Sequence, residues 1–304
     1  MLSRVSLLVA LSLAPAAVAQ PVGRWSFDEP SGNLALNAIV GRPSGHLLGN
    51  AAFSADGIAG NCVDFPTHGG GYVTMGNTYA IDANAEFSIS AWVKTSDPVS
   101  PKVVVSRHFT GILNGFILSV DLGGGYSNPQ RGQFYLNDNP GNTCNGTTVL
   151  TDGQWRHLVS VYRFIGTGSI RELWVDGVRE AANASAGPNP HPTPSFMVGG
   201  IYFSSGGEAG YYQGKIDEVQ VYDYAISADD IASLRATPTA VAGPKRCFCD
   251  LNNDGVRNTA DLAVFLGRFG QPASIGSLGD INYDGVVNTG DLAIFLGRFG
   301  ETCS

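Results

Sequence analysis

The chain has 304 residues, of which 40 are glycine and only 14% are charged, with a formal net charge of −8. So many turn formers with so few charged helix formers point to β-structure. The acidic balance excludes a nucleic-acid partner, because phosphates demand a basic surface, and the length allows one large domain with a small one beside it.

Arg4, the apolar run from Val5 to Leu13 and the small residues Ala17-Val-Ala19 have the layout of an export signal over residues 1–19, cut after Ala19. The run is too short to cross a bilayer, and no later segment stays apolar for about 18 residues, so no transmembrane segment is expected. Export to a secreted or cell-surface location favours disulfides, and the candidates are Cys62, Cys144, Cys247, Cys249 and Cys303. Five is odd, so at least one thiol stays outside any intrachain pair. No zinc spacing accompanies Cys247 and Cys249.

From residue 20 to 236 the pattern is strands and turns. Phe87, Ile89, Ala91 and Val93 alternate with Ser88, Ser90, Trp92 and Lys94, the period of a strand. Trp155 to Tyr162 and Lys215 to Tyr222 are further strands, and Asp176-Gly177 sits between two apolar runs as a hairpin turn. Ser227 followed by Asp230 predicts a short capped helix. Trp92, Trp155 and Trp174 read as core residues, and His157 as structural. Tyr126, Tyr211 and Tyr212 flank Gly-rich turns where a sugar could stack.

Six motifs run in order through this region: Trp25-Ser-Phe-Asp28, Tyr72-Val-Thr-Met75, Phe87 to Lys94, Asp152-Gly-Gln-Trp-Arg-His157, Leu173-Trp-Val-Asp-Gly177 and Gly214-Lys-Ile-Asp-Glu-Val219. Together they resemble the laminin-G-like, concanavalin A-like jelly roll. The resemblance implies a mainly β, antiparallel sandwich that binds a carbohydrate or other extracellular ligand. It also implies a structural calcium in some members, for which Asp28 and Asp217 are the acids to inspect, beside the alternative that each is bonded to backbone. A non-catalytic protein is expected. The E-x-D-x-x-E pattern of jelly-roll glucanases is missing, and alternation would put Asp217 and its neighbour Glu218 on opposite faces of a strand, unlike a paired-carboxylate site.

Residues 237–246 carry Pro238 and Pro244 with no periodicity and read as a semi-rigid linker. Beyond it, over 247–304, Asp250 to Gly270 and Asp280 to Gly300 are near copies offset by thirty residues. Each fits D-x-N-x-D-G followed by an acid at position 12, a loop that wraps one hard cation in oxygen ligands. The first set is Asp250, Asn252, Asp254, the Val256 carbonyl and Asp261, with Asn258 acting directly or through water. The second is Asp280, Asn282, Asp284, the Val286 carbonyl, Asn288 and Asp291. Oxygen donors of this kind suit calcium, one ion per loop. Leu262, Phe265, Leu266 and Phe269 follow at helical spacing, as do Leu292, Phe295, Leu296 and Phe299. The two apolar faces are therefore expected to pack on each other, with Gly270 and Gly300 ending the helices.

This repeat resembles the type I dockerin, a small α-helical, double EF-hand-like domain. The resemblance implies two calcium ions and docking to a cohesin-like or cell-surface receptor protein. Its recognition positions correspond here to Thr259, Ala260 and Arg268, and to Thr289, Gly290 and Arg298. The family's hydroxyl pair is only half present, and its basic pair is reduced to one Arg per repeat, so calcium binding carries over more fully than partner choice. A bridge from Cys247 or Cys249 to Cys303 would close a loop of roughly 55 residues, worth about 4 kcal/mol in the chain-entropy account. Two readings of the whole follow: a binding and anchoring protein, which could act within polysaccharide breakdown, or a structural surface or matrix component whose module self-associates.

Overall fold

The structure is a computed structural model describing residues 21–79, 85–109, 115–123, 128–136, 143–165, 168–184, 194–203, 207–243, 249–252, 255–272, 278–282 and 284–302. The export signal, Tyr126, Cys247, Asp254 and Cys303 lie outside the described residues.

Two antiparallel sheets face each other. The first runs β14 (Val178–Ala184), β13 (Gly168–Val175), β12 (Arg156–Ile165), β7 (Phe87–Lys94), β18 (Gly214–Tyr222), β5 (Cys62–Phe65) and β4 (Ala52–Ser54), with β1 (Gly23–Trp25) also paired to β18. The second runs β11 (Thr143–Val149), β10 (Arg131–Leu136), β9 (Phe116–Val120), β8 (Lys102–Arg107), β15 (Met197–Val198), β6 (Gly71–Thr74), β3 (Gly45–Gly49) and β2 (Leu34–Ala35). A small hairpin joins β16 (Gly200–Tyr202) to β17 (Glu208–Gly210). Strands far apart in sequence lie side by side, as where β7 separates β12 from β18, which makes this a jelly-roll-like sandwich.

Alternating residues fill the space between the sheets. Ile89, Ala91, Val93 and Val219 from the first meet Val104, Phe116, Leu118 and Phe134 from the second, all fully or almost fully buried. Each such side chain contributes about 1.5–3 kcal/mol by leaving water. The hairpin forms as the sequence predicts: Val175 pairs with Val178 across Asp176 and Gly177, whose φ angles of 49° and 84° are those of a two-residue primed turn.

The other face of β7 is not left to solvent. Helix α1 (Ala228–Ala236) begins at Ser227, whose hydroxyl accepts from the Asp230 N–H while Asp230 accepts from the Ser227 N–H, the expected capping box. Its Ile231 and Leu234 pack with Trp174, Val159, Val161, Tyr222 and Tyr224 on the outer side of the first sheet. Ser88 and Ser90 are therefore buried too, Ser88 Oγ donating to the Tyr224 carbonyl at 2.9 Å and accepting from Ile226 N–H at 3.0 Å. Trp92 and Trp174 are buried as expected, whereas Trp155 is only half-buried, with Lys94 Nζ 6.0 Å above its ring.

Residues 237–243, expected as linker, are instead fastened to the sandwich. Gln220 Nε2 donates to the Ala240 carbonyl at 2.8 Å, and Tyr222 Oη accepts from Ala242 N–H at 2.9 Å. Gly243 N–H donates to Asp230 at 2.8 Å, and Tyr224 Oη to the Gly243 carbonyl at 2.7 Å. The small side chains of Ala240 and Ala242 let this strap lie flat against the aromatic rings of the outer cluster.

In the C-terminal repeat, α2 (Thr259–Leu266) and α3 (Thr289–Leu296) are one helix per copy. Both stop at Gly267 and Gly297, earlier than expected, and tighten into i→i−3 bonds before the left-handed Gly270 and Gly300. Shortening turns much of each apolar face outward. Phe265 and Phe295 are fully buried with Cys249, Ile281 and Val287, but Leu266, Phe269, Leu296 and Phe299 are exposed. The two copies clasp reciprocally: Val256 bridges to Thr302 and Val286 to Pro272, while Gly270 N–H donates to the Val287 carbonyl and Gly300 N–H to that of Arg257.

Among the described residues, the disulfide candidates Cys62, Cys144 and Cys249 are buried free thiols. Cys62 and Cys144 belong to opposite sheets, and Cys249 packs in the repeat's own core. No helix among the described residues is long and apolar enough to cross a membrane.

Candidate functional site

Each expected cation loop is held open by its own backbone. In the second copy, Asp280 accepts from the N–H groups of Asp284 and Gly285, and Asp284 from that of Val286. Asp291 accepts from Ile281 and Asn282 at 2.7 and 2.9 Å and from Asn288 at 2.9 Å, the last as half of a capping box. The left-handed Gly285, at φ 88°, makes the turn that folds the loop back on itself. Asp280, Asp284 and Asp291 each thereby offer an oxygen within 4.8 Å of the other two. Asp280 and Asp291 are buried and Asp284 is exposed. Hydrogen bonds from Asn282 and Val286 hold the Asp284 carboxyl below its usual range.

Three carboxylates this close repel one another, and burial denies two of them water, so the arrangement fits a hard divalent cation. Asn288 also caps the helix that follows the loop. Its Oδ1 accepts from Gly290 N–H as a helix cap, and its amide N–H groups point to Asp284 and the Val286 carbonyl. In the first copy Asp250 accepts from Gly255 N–H, Asp261 from Leu251, Asn252 and Asn258, and Asn258 caps Ala260. Asp250 and Asp261 are buried like their counterparts. Thr259, Ala260, Arg268, Thr289, Gly290 and Arg298 are all exposed.

In the sandwich, Asp28 and Asp217 meet at one loop. Asp217 accepts from Ile58 and Ala59, and Asp28 from Asn61 at 3.0 Å. Burial pushes the Asp217 carboxyl up to about 8, against the pull of those backbone donors. Asp217 and Glu218 do not lie on opposite faces: a bulge between Asp217 and Gln220, with Glu218 at φ 46°, leaves both between the core-facing Ile216 and Val219. Glu218 is spent on Arg24, at 3.1 Å. His157 is buried beneath Trp92, with ring centroids 5.0 Å apart and Nε2 2.8 Å from Ser90 Oγ; burial pushes its pKa down to about 3. Tyr212 is buried and Tyr211 half-buried.

The fold and its core define a β-sandwich of the lectin type. Residues 67–232 match the Laminin_G_3 model, described as the concanavalin A-like lectin/glucanases superfamily, and the chain belongs to that family. No curated protein matches it in sequence. Among solved structures it is similar to domain 4 of AbnA, a GH43 extracellular arabinanase from Geobacillus stearothermophilus, in complex with arabinotriose. The TM-score there is 0.53 at 17% identity, over 72% of this chain and 99% of that one. It is also similar to the receptor binding domain of botulinum neurotoxin D (TM-score 0.51, 11% identity, 72% and 53% coverage) and to a Trypanosoma rangeli sialidase mutant (0.51, 16%, 72% and 33%). The match thus spans the whole arabinanase domain but about half and a third of the other two chains. At such identities the likeness concerns the fold.

Proposed function

We propose that this is a secreted, non-catalytic anchoring protein. Its sandwich binds a carbohydrate or surface ligand, and its C-terminal repeat, ordered by two calcium ions, docks on a cohesin-type or other surface partner. The observation that carries the reading is the convergence of Asp280, Asp284 and Asp291 at the mouth of a loop that the sequence duplicates thirty residues earlier. Asp250, Asn252, Asp254, Val256 and Asp261 would hold one ion and their counterparts the other, which would neutralise the carboxylates and lock the two copies together. A third ion at the loop shared by Asp28 and Asp217 belongs to the same reading. The arabinanase domain complexed with arabinotriose supports a saccharide as the ligand to try first.

The test is a pull-down of the full chain from the producing cell's envelope, with calcium and with chelator. A distinct partner recovered only with calcium is expected. A second reading, a matrix component that self-associates, is favoured by the exposed Leu266, Phe269, Leu296 and Phe299, and it predicts recovery of the protein alone. Calorimetry showing no heat with millimolar CaCl2 would remove both.

A further inference from the structure

Val256 and Arg257 share one peptide unit, and its carbonyl end is the expected backbone ligand of the first loop. The other end of that unit is held from outside the loop. Arg257 N–H donates to the Glu301 carbonyl at 3.1 Å, and the Arg257 carbonyl accepts from Gly300 N–H at 2.7 Å. The side chains of the same two residues meet as well. Arg257 Nη1 donates to Glu301 Oε2 at 2.7 Å, and the Arg257 side chain is only 12% exposed. Arg298 approaches the same oxygen at 3.7 Å. Glu301 comes after α3, so a residue beyond the second copy's helix grips the first copy's loop twice, by its backbone and by its charge.

The second loop is clasped without that charge. Its counterpart of Arg257 is Val287, buried in the core of the repeat, whose carbonyl accepts from Gly270 N–H at 2.8 Å. The counterpart of Glu301 is Gln271. Between residues 250–272 and 280–302 the copies differ in formal charge only at these two places, Arg257 against Val287 and Gln271 against Glu301. Both charged members fall in the same clasp, and they touch. Removing the Glu301 carboxylate would leave the Arg257 guanidinium unbalanced next to a loop that has to accept a cation.

We infer that Glu301 is a positioning residue of the first calcium loop. Its carboxylate holds Arg257, and through Arg257 it fixes the Val256–Arg257 peptide, while doing neither for the second loop. The inference rests on the calcium reading above and deepens it. Two loops with nearly the same ligand residues thereby answer to different contacts. The first depends on an ion pair with the segment after α3, and the second on a buried valine.

The test titrates the full nitrogen-15-labelled chain with CaCl2 and follows two amides by NMR. Gly255 N–H donates to Asp250 at 2.8 Å and Gly285 N–H to Asp280 at 3.1 Å, so each amide reports its own loop. In Glu301→Gln, which keeps the size of the side chain, the Gly255 midpoint should move to about two- to fivefold higher calcium, the range of a partly exposed ion pair. The Gly285 midpoint should stay in place. In an Arg257→Val background, which copies the second clasp, the same Glu301→Gln change should no longer move Gly255. Equal displacement of both amides would mean a general loss of stability and overturn the positioning role. So would a Gly255 midpoint that stays fixed in Glu301→Gln, or one that still moves when Arg257 is absent. An unaltered chain in which neither amide responds to millimolar CaCl2 overturns the calcium reading itself.

Discussion

Phe265 and Phe295 stack across the reciprocal clasp of the C-terminal repeat, ring centroids 6.1 Å apart and planes within 16°. They occupy equivalent places in the two copies, each in edge contact with its own Phe269 or Phe299 at 5.9 Å. Phe265→Ala and Phe295→Ala should therefore each destabilise the calcium-loaded repeat by about 3–5 kcal/mol, and by similar amounts. Urea unfolding followed by far-UV circular dichroism measures both, and a large asymmetry would contradict equivalence of the copies.

The cation loops make a separable prediction. Asp291→Asn keeps the shape of the side chain but removes the charge that Ile281 and Asn282 N–H groups hold in place. Calorimetric titration should then detect one calcium in the repeat instead of two. The loss of stabilisation should approach about 2.7 kcal/mol for a site previously at a hundred times its Kd. Asp261→Asn should do the same for the first loop.

The pH dependence of the sandwich should carry the mark of His157. Its folded pKa, about 3, lies below the ordinary 6.5, because burial disfavours the imidazolium. Between those values the unfolded chain binds a proton that the folded chain does not. Stability from this group is complete above about pH 6.5 and falls by up to about 1.4 kcal/mol per unit as the pH drops toward 3. His157→Asn should flatten that part of the profile in denaturant melts from pH 4 to 7.

The strap can be loosened by removing a single hydroxyl. Tyr222→Phe removes the hydroxyl that accepts from Ala242 N–H, leaving a buried donor unpaired at about 1–3 kcal/mol. Hydrogen exchange at Ala242 should accelerate sharply while the α1 amides keep their protection. Equal loosening of both would mean strap and helix open as one unit.

Thiol counting tests the cysteines. Burial pushes Cys62 and Cys249 up to about 12 and Cys144 to about 11, so none should react with a disulfide reagent in the native state at pH 8. Unfolding without reductant should release three thiols if Cys247 and Cys303 are joined, and five if they are not.

The architecture was readable where one residue type has one physical use. Alternation found β7 and β18, Asp176-Gly177 gave the hairpin, and Ser227 with Asp230 gave the helix start. What escaped were features that depend on neighbours distant in sequence. The bulge at Glu218 has no local signature, so strict alternation misplaced it beside Asp217. The strap reads as linker because alanine and proline reveal nothing of the tyrosines that hold them. The short α2 and α3 escaped because apolar spacing continues past Gly267 and Gly297 after the helix has stopped.

Gly243 is clamped to the sandwich by Tyr224 and Asp230, and Cys249 packs in the core of the repeat. The intervening stretch can span at most about 20 Å even when fully drawn out. On the reading proposed above, so short a connection would keep whatever one unit binds within molecular reach of whatever the other binds, at an effective concentration in the millimolar range. Two feeble attachments, neither lasting alone, would on such a tether release only when both let go together.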